Sequence, residues 1–552
     1  MSETIQLTLI RENKEGEQQK INVTHDSGMT LMTILLQKEL ITGNFCGGRG
    51  TCGRCRVQFL QSAPLPTSRD RQAFTPDELR LGYRLACMAK PGNDCVVRMD
   101  FIKPRELEIV TEICDVMNVS EKNDCLSQEK EEGTHYLAAV DLGTTTIAMQ
   151  LMEMESGRVV DTYCAMNPQR SYGADVLSRI QAANERPVDE RAVQERAANT
   201  ETVNERTAGA ADIMRNSVWK VIEDGLNRFW AVCHEKNPEA ALCCMCIAGN
   251  TTMEHLLMGL STKELGKSPF LPVELGLQRC VVPIGDAAQL PVYVAPGISA
   301  FVGGDIVTGL YRLKMLPLCG TDNEKPRCDT GSDSDGQQDG FQSGGVSLLI
   351  DLGTNGEMAI TDGRRMVVTA TAAGPAFEGG PGKTAAGSDM VAMTALLLKE
   401  GIIDETGLMA DPYFEEGITV SGHSGASIHL TQKDIRALQM AKAAVRAGVE
   451  ILHQKMGCPF VERVWLAGGF GYYLDVDAAI AIGLLPREWK SCTKAAGNTS
   501  LAGAFEMGAD LWNGKLTEEA LSEMMQGIES INLAEQPEFE ALYIRYMTLK
   551  SF

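Results

Sequence analysis

The sequence predicts a multidomain α/β protein in which a small N-terminal α+β unit precedes a larger, duplicated α/β body. Its 552 residues exceed what one hydrophobic core usually holds, and the length favours about three or four folding units. Four cysteines cluster before residue 90, and the motif Asp-Leu-Gly-Thr occurs at Asp141 and again at Asp351. We therefore divide the chain into an N-terminal domain at 1–101, a linker at 102–135 and a main body at 136–552.

The N-terminal domain has the strand and helix order of a β-grasp ferredoxin. The segments IQLTLI and KINVT read as a hairpin, MTLMTILLQKEL as a helix, and RVQFLQ and CVVRMDF as later strands. A cysteine-containing loop lies between the helix and the third strand. This order predicts a compact, ferredoxin-like α+β domain.

The cysteines of this domain have the spacing of iron-sulfur ligands. Cys46, Cys52 and Cys55 follow a Cys-x5-Cys-x2-Cys pattern on one Gly-rich loop, and Cys87 follows on a later strand. This resembles the plant-type ferredoxin arrangement for one [2Fe–2S] cluster, with one extra residue in the first gap. Cys95 is a rival for the fourth position, and a four-cysteine zinc site is an alternative metal centre. The RLACM context favours Cys87 and the Gly-rich gap favours the cluster, so we expect a one-electron centre.

The composition of the chain excludes some partners. Lys and Arg total 51 against 73 Asp and Glu, a formal charge of −22, which argues against binding to nucleic acids or anionic membranes. The N-terminus has no basic start before an apolar core, and no stretch reaches the roughly 18 apolar residues of a membrane span. Because the 17 cysteines are spread through a large chain, we expect a cytoplasmic protein with reduced thiols.

Three segments do not have the pattern of a packed domain. The linker 102–135 is charged and irregular. A charged stretch with a repeated Glu-Arg element lies near 185–209, and a Gly-, Asp- and Ser-rich stretch lies near 319–345. We expect the last two to be mobile insertions in the main body.

An internal repeat organises the main body. HYLAAVDLGTTTIAMQLMEMESGRVVDTYCA and GVSLLIDLGTNGEMAITDGRRMVVTATA each read as strand, tight turn, strand, turn and strand. The first strand of each copy is apolar on both faces, as a central strand must be, and ends on an aspartate followed by a small-residue turn. Two such copies predict duplicated halves that face a cleft.

The two turns have the chemistry of a phosphate site. Glycine lets the backbone amides approach a phosphate closely, threonine hydroxyls add donors, and a strand-end aspartate can hold Mg²⁺ through water. One such hairpin is weak evidence, because its glycines also suit a plain tight turn. Two hairpins followed by LAGGFGYYLD and GNTSLAGA resemble, in the same order, the nucleotide-binding motifs of the acetate kinase, sugar kinase, Hsp70 and actin superfamily.

That resemblance implies an ATPase domain and assigns roles to single residues. Two phosphate loops combine a strand-end aspartate with glycine and polar side chains: Asp141, Gly143, Thr144, Thr145, Asp351, Gly353, Thr354, Asn355 and Gly356. Glycines on the adenosine side leave space for the base and ribose: Gly468, Gly469 and Gly471. Asp305 or Glu378 is the candidate catalytic residue that orients the hydrolytic water, and each could instead cap a helix or bind metal.

Two other apparent nucleotide motifs are better explained otherwise. The run 48–53 matches a GxGxxG pattern, but cluster cysteines interleave it and no βαβ unit surrounds it. Gly382-Lys383-Thr384 resembles the end of a P-loop, yet Phe377 replaces the leading glycine. No flavin or nicotinamide site is visible, so we expect the electron to come from another protein.

The combination resembles a known family, the reductive activators of corrinoid proteins. Segments such as MNPQRSYGADVLSRI, CIAGNTTMEHLLMGL, APGISAFVGGDIVTG and TAAGPAFEGG are similar to that family. The resemblance covers nearly the whole chain, although the segment before Asp141 is short and implies a reduced or absent middle domain. Family membership implies a [2Fe–2S] cluster, ATP and Mg²⁺ as cofactors.

It also implies a function. The chain would reduce inactive Co(II)-corrinoid protein of a methyltransferase system to Co(I), using an external low-potential electron donor and ATP hydrolysis, and it could act as a homodimer. Two other function classes remain open. The chain could be the electron-transfer subunit of a larger oxidoreductase, or a small-molecule kinase with a structural cluster.

Overall fold

The strands of the chain form three large sheets and one separate hairpin. The structure, a computed structural model, describes residues 4–12, 18–26, 28–37, 55–99, 134–173, 175–185, 209–236, 240–285, 288–317, 345–353, 355–372, 387–421 and 427–551. In these ranges, no helix has both the length and the apolar character needed to cross a bilayer.

The first sheet lies in the N-terminal domain and has the strand order β2-β1-β5-β3-β4. Its elements in chain order are β1 (Thr4–Glu12), β2 (Gln18–Asp26), α1 (Leu31–Gln37), β3 (Arg56–Gln61), α2 (Ser68–Ala73), α3 (Pro76–Arg80), β4 (Tyr83–Leu85) and β5 (Cys95–Met99). Strands β1 and β5 are parallel, whereas the other neighbouring pairs are antiparallel. The predicted hairpin, helix and two later strands are present. The later strand predicted at Cys87 is the short β4, which ends at Leu85, so Cys87 lies in the turn after it. Helices α2 and α3 were not predicted.

The second sheet has the order β10-β11-β9-β6-β7-β8. Its strands and helices in chain order are β6 (His135–Leu142), β7 (Thr146–Glu153), β8 (Val159–Met166), a 3-10 turn (Pro168–Ser171), α4 (Val176–Asn184), α5 (Ala210–Lys236), β9 (Ala241–Gly249), α6 (Thr251–Met258), a 3-10 turn (Glu264–Gly266), β10 (Gln278–Ile284), β11 (Ala288–Val294) and α7 (Gly304–Arg312). Buried side chains of α5 such as Val218, Ile222 and Phe229 cover one face of this sheet.

The third sheet has the order β18-β17-β12-β13-β14-β19. Its elements, with the separate hairpin β15–β16, are β12 (Gly345–Leu352), β13 (Gly356–Thr361), β14 (Met366–Thr371), α8 (Gly387–Lys399), α9 (Tyr413–Glu416), β15 (Ile418–Ser421), β16 (Ser427–Leu430), α10 (Gln432–Lys455), β17 (Phe460–Ala467), α11 (Gly468–Tyr472), α12 (Val476–Ala481), a 3-10 turn (Arg487–Trp489), β18 (Thr493–Gly497), α13 (Thr499–Trp512), α14 (Glu518–Gln526), β19 (Ile528–Ser530), a 3-10 turn (Leu533–Glu535) and α15 (Phe539–Arg545).

The two larger sheets repeat one topology, which confirms the predicted duplication. In each, an antiparallel meander of three strands is followed by two parallel strands on its first side: β8-β7-β6-β9-β11 matches β14-β13-β12-β17-β18. Asp141 lies one residue before the end of β6, and Asp351 has the same place in β12. Both aspartates also stand beside an alanine of the next parallel strand, Ala248 and Ala467. The two halves therefore present equivalent strand ends.

Each half of the main body contributes one helix to the core of the other half. Helix α7 follows the second sheet, but its Ile306 and Leu310 belong to a core with Leu349 of β12. Helix α13 follows the third sheet, yet its Ala504 packs in a core with Leu137 of β6. The two helices also meet each other so closely that a Cβ at Gly503 would overlap the carbonyl oxygen of Thr308. Each sheet is thus covered by a helix from the other half of the chain.

Candidate functional site

Carboxyl groups from both halves converge between the two large sheets. Asp305 and Asp351 each raise the pKa of Glu357, and Asp141 raises the pKa of Asp305 and Asp351. Burial is the largest cause of each shift, and it brings the pKa of Asp351 to about 8. Glu254 is also affected, since burial and then the charge of Asp305 raise its pKa well above the usual range. Five buried acids thus lie together, and a bound cation would offset the cost of ionising them: Asp141, Glu254, Asp305, Asp351 and Glu357.

Asp141 is held by the start of α13. The Asn498 amide donates to one carboxylate oxygen at 2.8 Å, and the Ser500 hydroxyl donates to the other at 3.2 Å. These hydrogen bonds favour the ionised carboxylate, but burial outweighs them and raises its pKa. Asn498 also accepts from the backbone N–H of Leu501 at 2.8 Å and so caps the helix. One asparagine therefore fixes both the helix start and the aspartate.

Asp351 and Glu357 are neighbours across the β12–β13 hairpin. Glu357 is 7% exposed, and a hydrogen bond from the Asn355 side chain lowers its pKa against the larger effect of burial. The start of α11 closes over this pair. Gly468 has a φ of +80°, and a Cβ there would overlap a carboxylate oxygen of Asp351. The glycine is thus required by the approach of the backbone to Asp351.

Asp305 lies in the first turn of α7, and a glycine turn brings it to the cleft. Its carboxylate accepts from the N–H of Ile306 at 2.8 Å. Before it, a Cβ at Gly303 would overlap Gly249 and Thr251, and one at Gly304 would overlap the carboxylate of Glu254. Glu254 in turn accepts from the N–H of Gly249 at 3.2 Å. The sequence GGD therefore packs the start of α7 directly against the start of α6.

The first phosphate loop is braced from three sides. The Asn167 amide donates to the Gly143 carbonyl at 2.8 Å, and Arg179 donates to the Thr144 carbonyl. The Asn250 amide donates to the Thr144 hydroxyl at 2.9 Å, while its oxygen accepts from Met253 N–H and caps α6. The loop is thus held by residues that lie far from it in the sequence.

The structure places the predicted nucleotide residues at matching positions of the two halves. Those of the first half lie at the β6–β7 turn, and the described ones of the second half lie at the β12–β13 turn: Asp141, Gly143, Thr144 and Thr145, then Asp351, Gly353, Asn355 and Gly356. The predicted adenosine-side glycines lie on α11: Gly468, Gly469 and Gly471. Thr354 and Glu378 lie outside the described residues. Asp305 lies close enough to the other carboxylates for the charge of Asp141 to raise its pKa and for its own charge to raise the pKa of Asp351, in both cases after the larger effect of burial.

Several residues of this site were missed in the sequence analysis: Asn167, Arg179, Asn250, Glu254, Glu357, Asn498 and Ser500. A signal existed for two of them. The tripeptide Gly-Asn-Thr occurs where β9 meets α6 and again where β18 meets α13. In both places the asparagine caps the helix and donates to the first phosphate loop or its aspartate, Asn250 to Thr144 and Asn498 to Asp141. Glu357 could have been found from its cross-strand pairing with Asp351.

Two of the four cluster cysteines lie in the described part of the N-terminal domain. The sulfurs of Cys55 and Cys87 are 3.3 Å apart and both side chains are buried, which suits two thiolates on one iron atom. Cys95 is buried in the same core, and burial followed by the charge of Asp94 raises its pKa to about 11. Cys46 and Cys52 lie outside the described residues.

A buried aspartate fixes the strand that precedes Cys87. Asp70 is 0% exposed, and one of its oxygens accepts from the N–H of Leu85 at 2.8 Å. Its other oxygen accepts from the N–H and hydroxyl of Thr67, which caps α2. The N–H groups of Leu31 and Met32 in α1 then donate to the carbonyls of Ala89 and Ala86. The segment around Cys87 is therefore held from both sides.

Among the residues that the structure describes, no three His, Cys, Asp or Glu side chains form a group that could hold a metal ion unaided. The cleft nonetheless offers carboxylate oxygens, the ligand type that Mg²⁺ takes, from equivalent strand ends of the two halves, those of Asp141 and Asp351. Mg²⁺ usually keeps several waters and is bound through one or two carboxylates and the substrate phosphates. The donor set of the cleft fits that mode of binding.

Comparison with protein families divides the chain into three parts. The 2Fe-2S iron-sulfur cluster binding domain matches residues 13–92. The RACo middle region matches 136–223 and 202–317, and the C-terminal ASKHA domain of RACo matches 345–385 and 381–551. The expected loss of the middle domain was therefore wrong: the middle region coincides with the half that contains β6 to α7. The chain has a 2Fe-2S domain and a nucleotide-binding domain of the ASKHA type.

Curated relatives agree with this division. The corrinoid activation enzyme RamQ of Eubacterium limosum is 28% identical over 440 residues, which cover 69% of this chain and 65% of RamQ. The [Co(II) methylated amine-specific corrinoid protein] reductase of Methanosarcina barkeri is 27% identical over 216 residues, or 29% of this chain and 38% of that protein. One component of the Na(+)-translocating NADH-quinone reductase of Chlamydia caviae is 32% identical over 87 residues, which cover only 16% of this chain and 20% of that protein.

The solved structure of a reductive activator for corrinoid, iron-sulfur protein has the same fold, with a TM-score of 0.55 and 22% identity over 98% of both chains. The likeness therefore extends from the cluster domain through both halves of the cleft. With a 2Fe-2S domain, a middle region and an ASKHA domain in this order, the chain belongs to the RACo family of corrinoid reductive activators.

Proposed function

We propose that this chain is an ATP-hydrolysing iron-sulfur reductase that reduces inactive Co(II)-corrinoid protein to Co(I) and so supports corrinoid-dependent methyl transfer. The observation that supports this most is the union, in one chain, of a 2Fe-2S domain with a cleft that both ASKHA halves line with carboxylates. The cluster supplies one electron, and ATP hydrolysis supplies the driving force. An external low-potential donor refills the cluster.

The cleft residues have separate tasks in this proposal. Asp141 and Asp351 would hold Mg²⁺ from opposite halves, because they lie at the ends of equivalent strands. The amides and hydroxyls of the two phosphate loops bind the phosphates, and the α11 glycines make room for adenosine. Asp305 orients the attacking water, since the charge of Asp141 acts on it and its own charge acts on Asp351. Mg²⁺ neutralises the charge that these acids and the phosphates bring together.

Closure of the two halves on ATP is the step that couples hydrolysis to electron transfer. A change of about 1.4 kcal/mol corresponds to about 59 mV for a one-electron couple. If closure changes the ligation of cobalt by a few kcal/mol, the cobalt potential shifts by roughly 100 to 200 mV. Domain closure around a bound ligand is an ordinary source of such energies.

The partner and the domain limits are part of the same proposal. We assign 1–101 to the cluster domain, 102–135 to the linker and 136–552 to the ATPase domain with insertions near 185–209 and 319–345. The partner is a corrinoid protein of a methyltransferase system, and the active form is a monomer or a homodimer. Cys46, Cys52, Cys55 and Cys87 hold the cluster.

One assay tests the function. The reduced protein is mixed with Mg-ATP and a series of corrinoid proteins, and the Co(II) to Co(I) absorbance change is followed. An ATP-dependent change is expected with at least one corrinoid protein, and its absence with all of them would contradict the proposal. Phosphorylation of a small molecule in the same mixture would instead favour a kinase. As controls, Cys52→Ala should abolish electron transfer, and Asp351→Ala should lose ATP hydrolysis yet keep the cluster spectrum.

A further inference from the structure

Two buried side chains lie directly behind the first phosphate loop. Arg179 of α4 and Asn167, just after β8, are each 0% exposed. Arg179 donates through Nε to the Gly173 carbonyl at 3.0 Å, through one terminal nitrogen to the Thr144 carbonyl, and through the other to the sulfur of Met253 at 3.2 Å. A single guanidinium therefore joins the loop, the turn before α4 and helix α6.

Asn167 holds the loop carbonyl that precedes the one held by Arg179, and the two residues together form a buried brace behind the loop. Its amide nitrogen donates to the Gly143 carbonyl at 2.8 Å, while its oxygen accepts from the N–H of Gln169 at 2.9 Å. Its backbone N–H also donates to the Thr145 carbonyl at 2.9 Å. Three successive carbonyls of the loop, those of Gly143, Thr144 and Thr145, are thus taken up by two residues.

The direction of these carbonyls fixes the direction of the amides. A trans peptide is planar, and its C=O and N–H point to opposite sides. The carbonyls of Gly143 and Thr144 point towards the buried brace, so the N–H groups of Thr144 and Thr145 point away from it. Because the brace itself is buried, the opposite face of the loop is the one that a ligand can reach.

We infer that Arg179 and Asn167 are positioning residues that set the two backbone N–H groups of Thr144 and Thr145 as donors for the nucleotide phosphates. Arg179 also places a permanent positive charge behind the loop, where it favours an anion in front. The inference deepens the proposed function, on which it rests for the identity of the ligand. It predicts that the brace serves the phosphates of the nucleotide and leaves its adenosine part unaffected.

The test compares two ligands that differ only in phosphate. Binding of ADP and of adenosine to the full chain is measured by titration calorimetry for wild type, Arg179→Lys, Arg179→Met and Asn167→Ser. Losing one hydrogen bond between a loop N–H group and the charged phosphate corresponds to a roughly tenfold to hundredfold change in affinity. We expect the ADP Kd to rise at least about tenfold in Arg179→Met and less in Arg179→Lys, which keeps the charge but has no planar fork. The adenosine Kd should stay within about twofold.

Asn167→Ser keeps a side-chain oxygen that can accept from Gln169, loses the amide that donates to Gly143 and to the sulfur of Met253, and adds no charge, so it decides the matter if Arg179→Met does not fold. Arg228→Lys is the matched control, because Arg228 forms an exposed ion pair with Asp161 away from the loop. Equal weakening of ADP and adenosine, or unchanged ADP binding in the variants, would overturn the inference alone. A wild-type chain that binds no ADP would overturn the proposed function together with it.

Discussion

Five carboxyl groups lie around one cleft, and most of them make a neighbour harder to ionise. Asp351 shows most clearly that ionisation in the cleft is unfavourable, because burial and the charges of Asp305 and Asp141 raise its pKa to about 8. Without a cation the cleft is therefore a destabilising feature of the fold, in keeping with the frequent conflict between stability and function at active sites.

Asp351→Asn should separate these two effects. The substitution keeps the shape and removes the charge, so ATP hydrolysis should fall by about a hundredfold or more, as is typical when a preorganised electrostatic group is lost. In Mg²⁺-free buffer at about pH 8 the melting temperature should rise, because one repelled charge has gone. The control is Asp477→Asn, an exposed carboxylate paired with Lys490. A variant with wild-type hydrolysis would contradict the role assigned to Asp351.

A buried lysine is the basic counterpart of the cleft acids, because burial lowers its pKa whereas it raises theirs. Lys442 of α10 is 0% exposed and donates to the carbonyls of Ile482 and Thr548 at 3.0 and 2.7 Å. Burial, and then the charge of Arg446, lowers its pKa from 10.5 to about 7. Between those values the unfolded chain binds more protons than the folded chain, so the free energy of unfolding rises with pH.

Lys442→Met should remove this contribution. Between about pH 7 and pH 9 the wild type should gain stability relative to the variant, by at most about 1.4 kcal/mol per pH unit. Urea midpoints measured by circular dichroism at three pH values across that range report the difference. Lys433→Met on the exposed side of the same helix should keep the wild-type slope. Parallel curves for wild type and Lys442→Met would show that Lys442 keeps its proton in the folded state.

At the scale of elements, the crossing of α7 and α13 determines how the cleft is assembled. Asp305 lies in the first turn of α7, and Asn498 and Ser500 at the start of α13 hold Asp141. The crossing is close because Gly503 faces the backbone of Thr308. Any side chain there would separate the two helices and move their first turns.

Gly503→Ala should therefore affect both stability and binding. The added methyl group would overlap the Thr308 carbonyl oxygen, and overpacking of this kind typically costs about 1–3 kcal/mol. ADP affinity should fall as well, since both helices begin at the cleft. Gly527→Ala is a suitable control, because a Cβ at Gly527 would have nothing within 4 Å. Equal melting temperatures for the two variants would show that the crossing can relax at no cost.

The elements also show what could be predicted from the sequence. Asp141, Asp351 and their loops were predictable because each motif is continuous in the chain and stands at a strand end. Arg179 and Asn167 were not, because they reach the carbonyls of Thr144 and Gly143 across 35 and 24 residues, and an arginine or an asparagine alone has no periodic pattern. The short β4 depends on tertiary contacts such as that of Asp70 with Leu85. Helices α2 and α3 did have a local signal, because each begins with a capping box, at Thr67 and at Thr75.

At the scale of the whole molecule, we expect that a substitution can inactivate the cluster domain or the ATPase domain without affecting the other. Reduction of the corrinoid protein should nevertheless need both. The predicted cluster residues Cys55 and Cys87 belong to the core of the first sheet, which is separate from the cores of the two sheets that border the cleft. Cys87→Ser should lose the visible absorption of the cluster and keep its ADP affinity. Asp351→Asn should instead keep the visible absorption of the cluster and lose ATP hydrolysis. Electron transfer from the cluster and ATP hydrolysis can therefore be abolished separately.

Mixing these two variants tests whether one chain is the working unit. If the cluster must act with the cleft of its own chain, an equimolar mixture should reduce Co(II)-corrinoid protein no faster than the variants alone. The Co(I) absorbance measures this, and wild type diluted with an equal amount of Cys87→Ser is the control for inhibition. Recovery of activity in the mixture would mean that subunits exchange their functions within a homodimer.

The helix exchange also bears on how the protein can be made. The carboxylate of Asp141 finds its amide partner 357 residues later, and the sheet that carries Asp141 is covered by α13 from the far end of the chain. Contacts of such separation slow folding, because a long loop must close before they form. The first half therefore leaves the ribosome before α13 can cover the second face of its sheet and before its cleft is complete. Its nucleotide site can be completed only after synthesis has passed Ser500, so ATP cannot assist the early folding of the half that binds it.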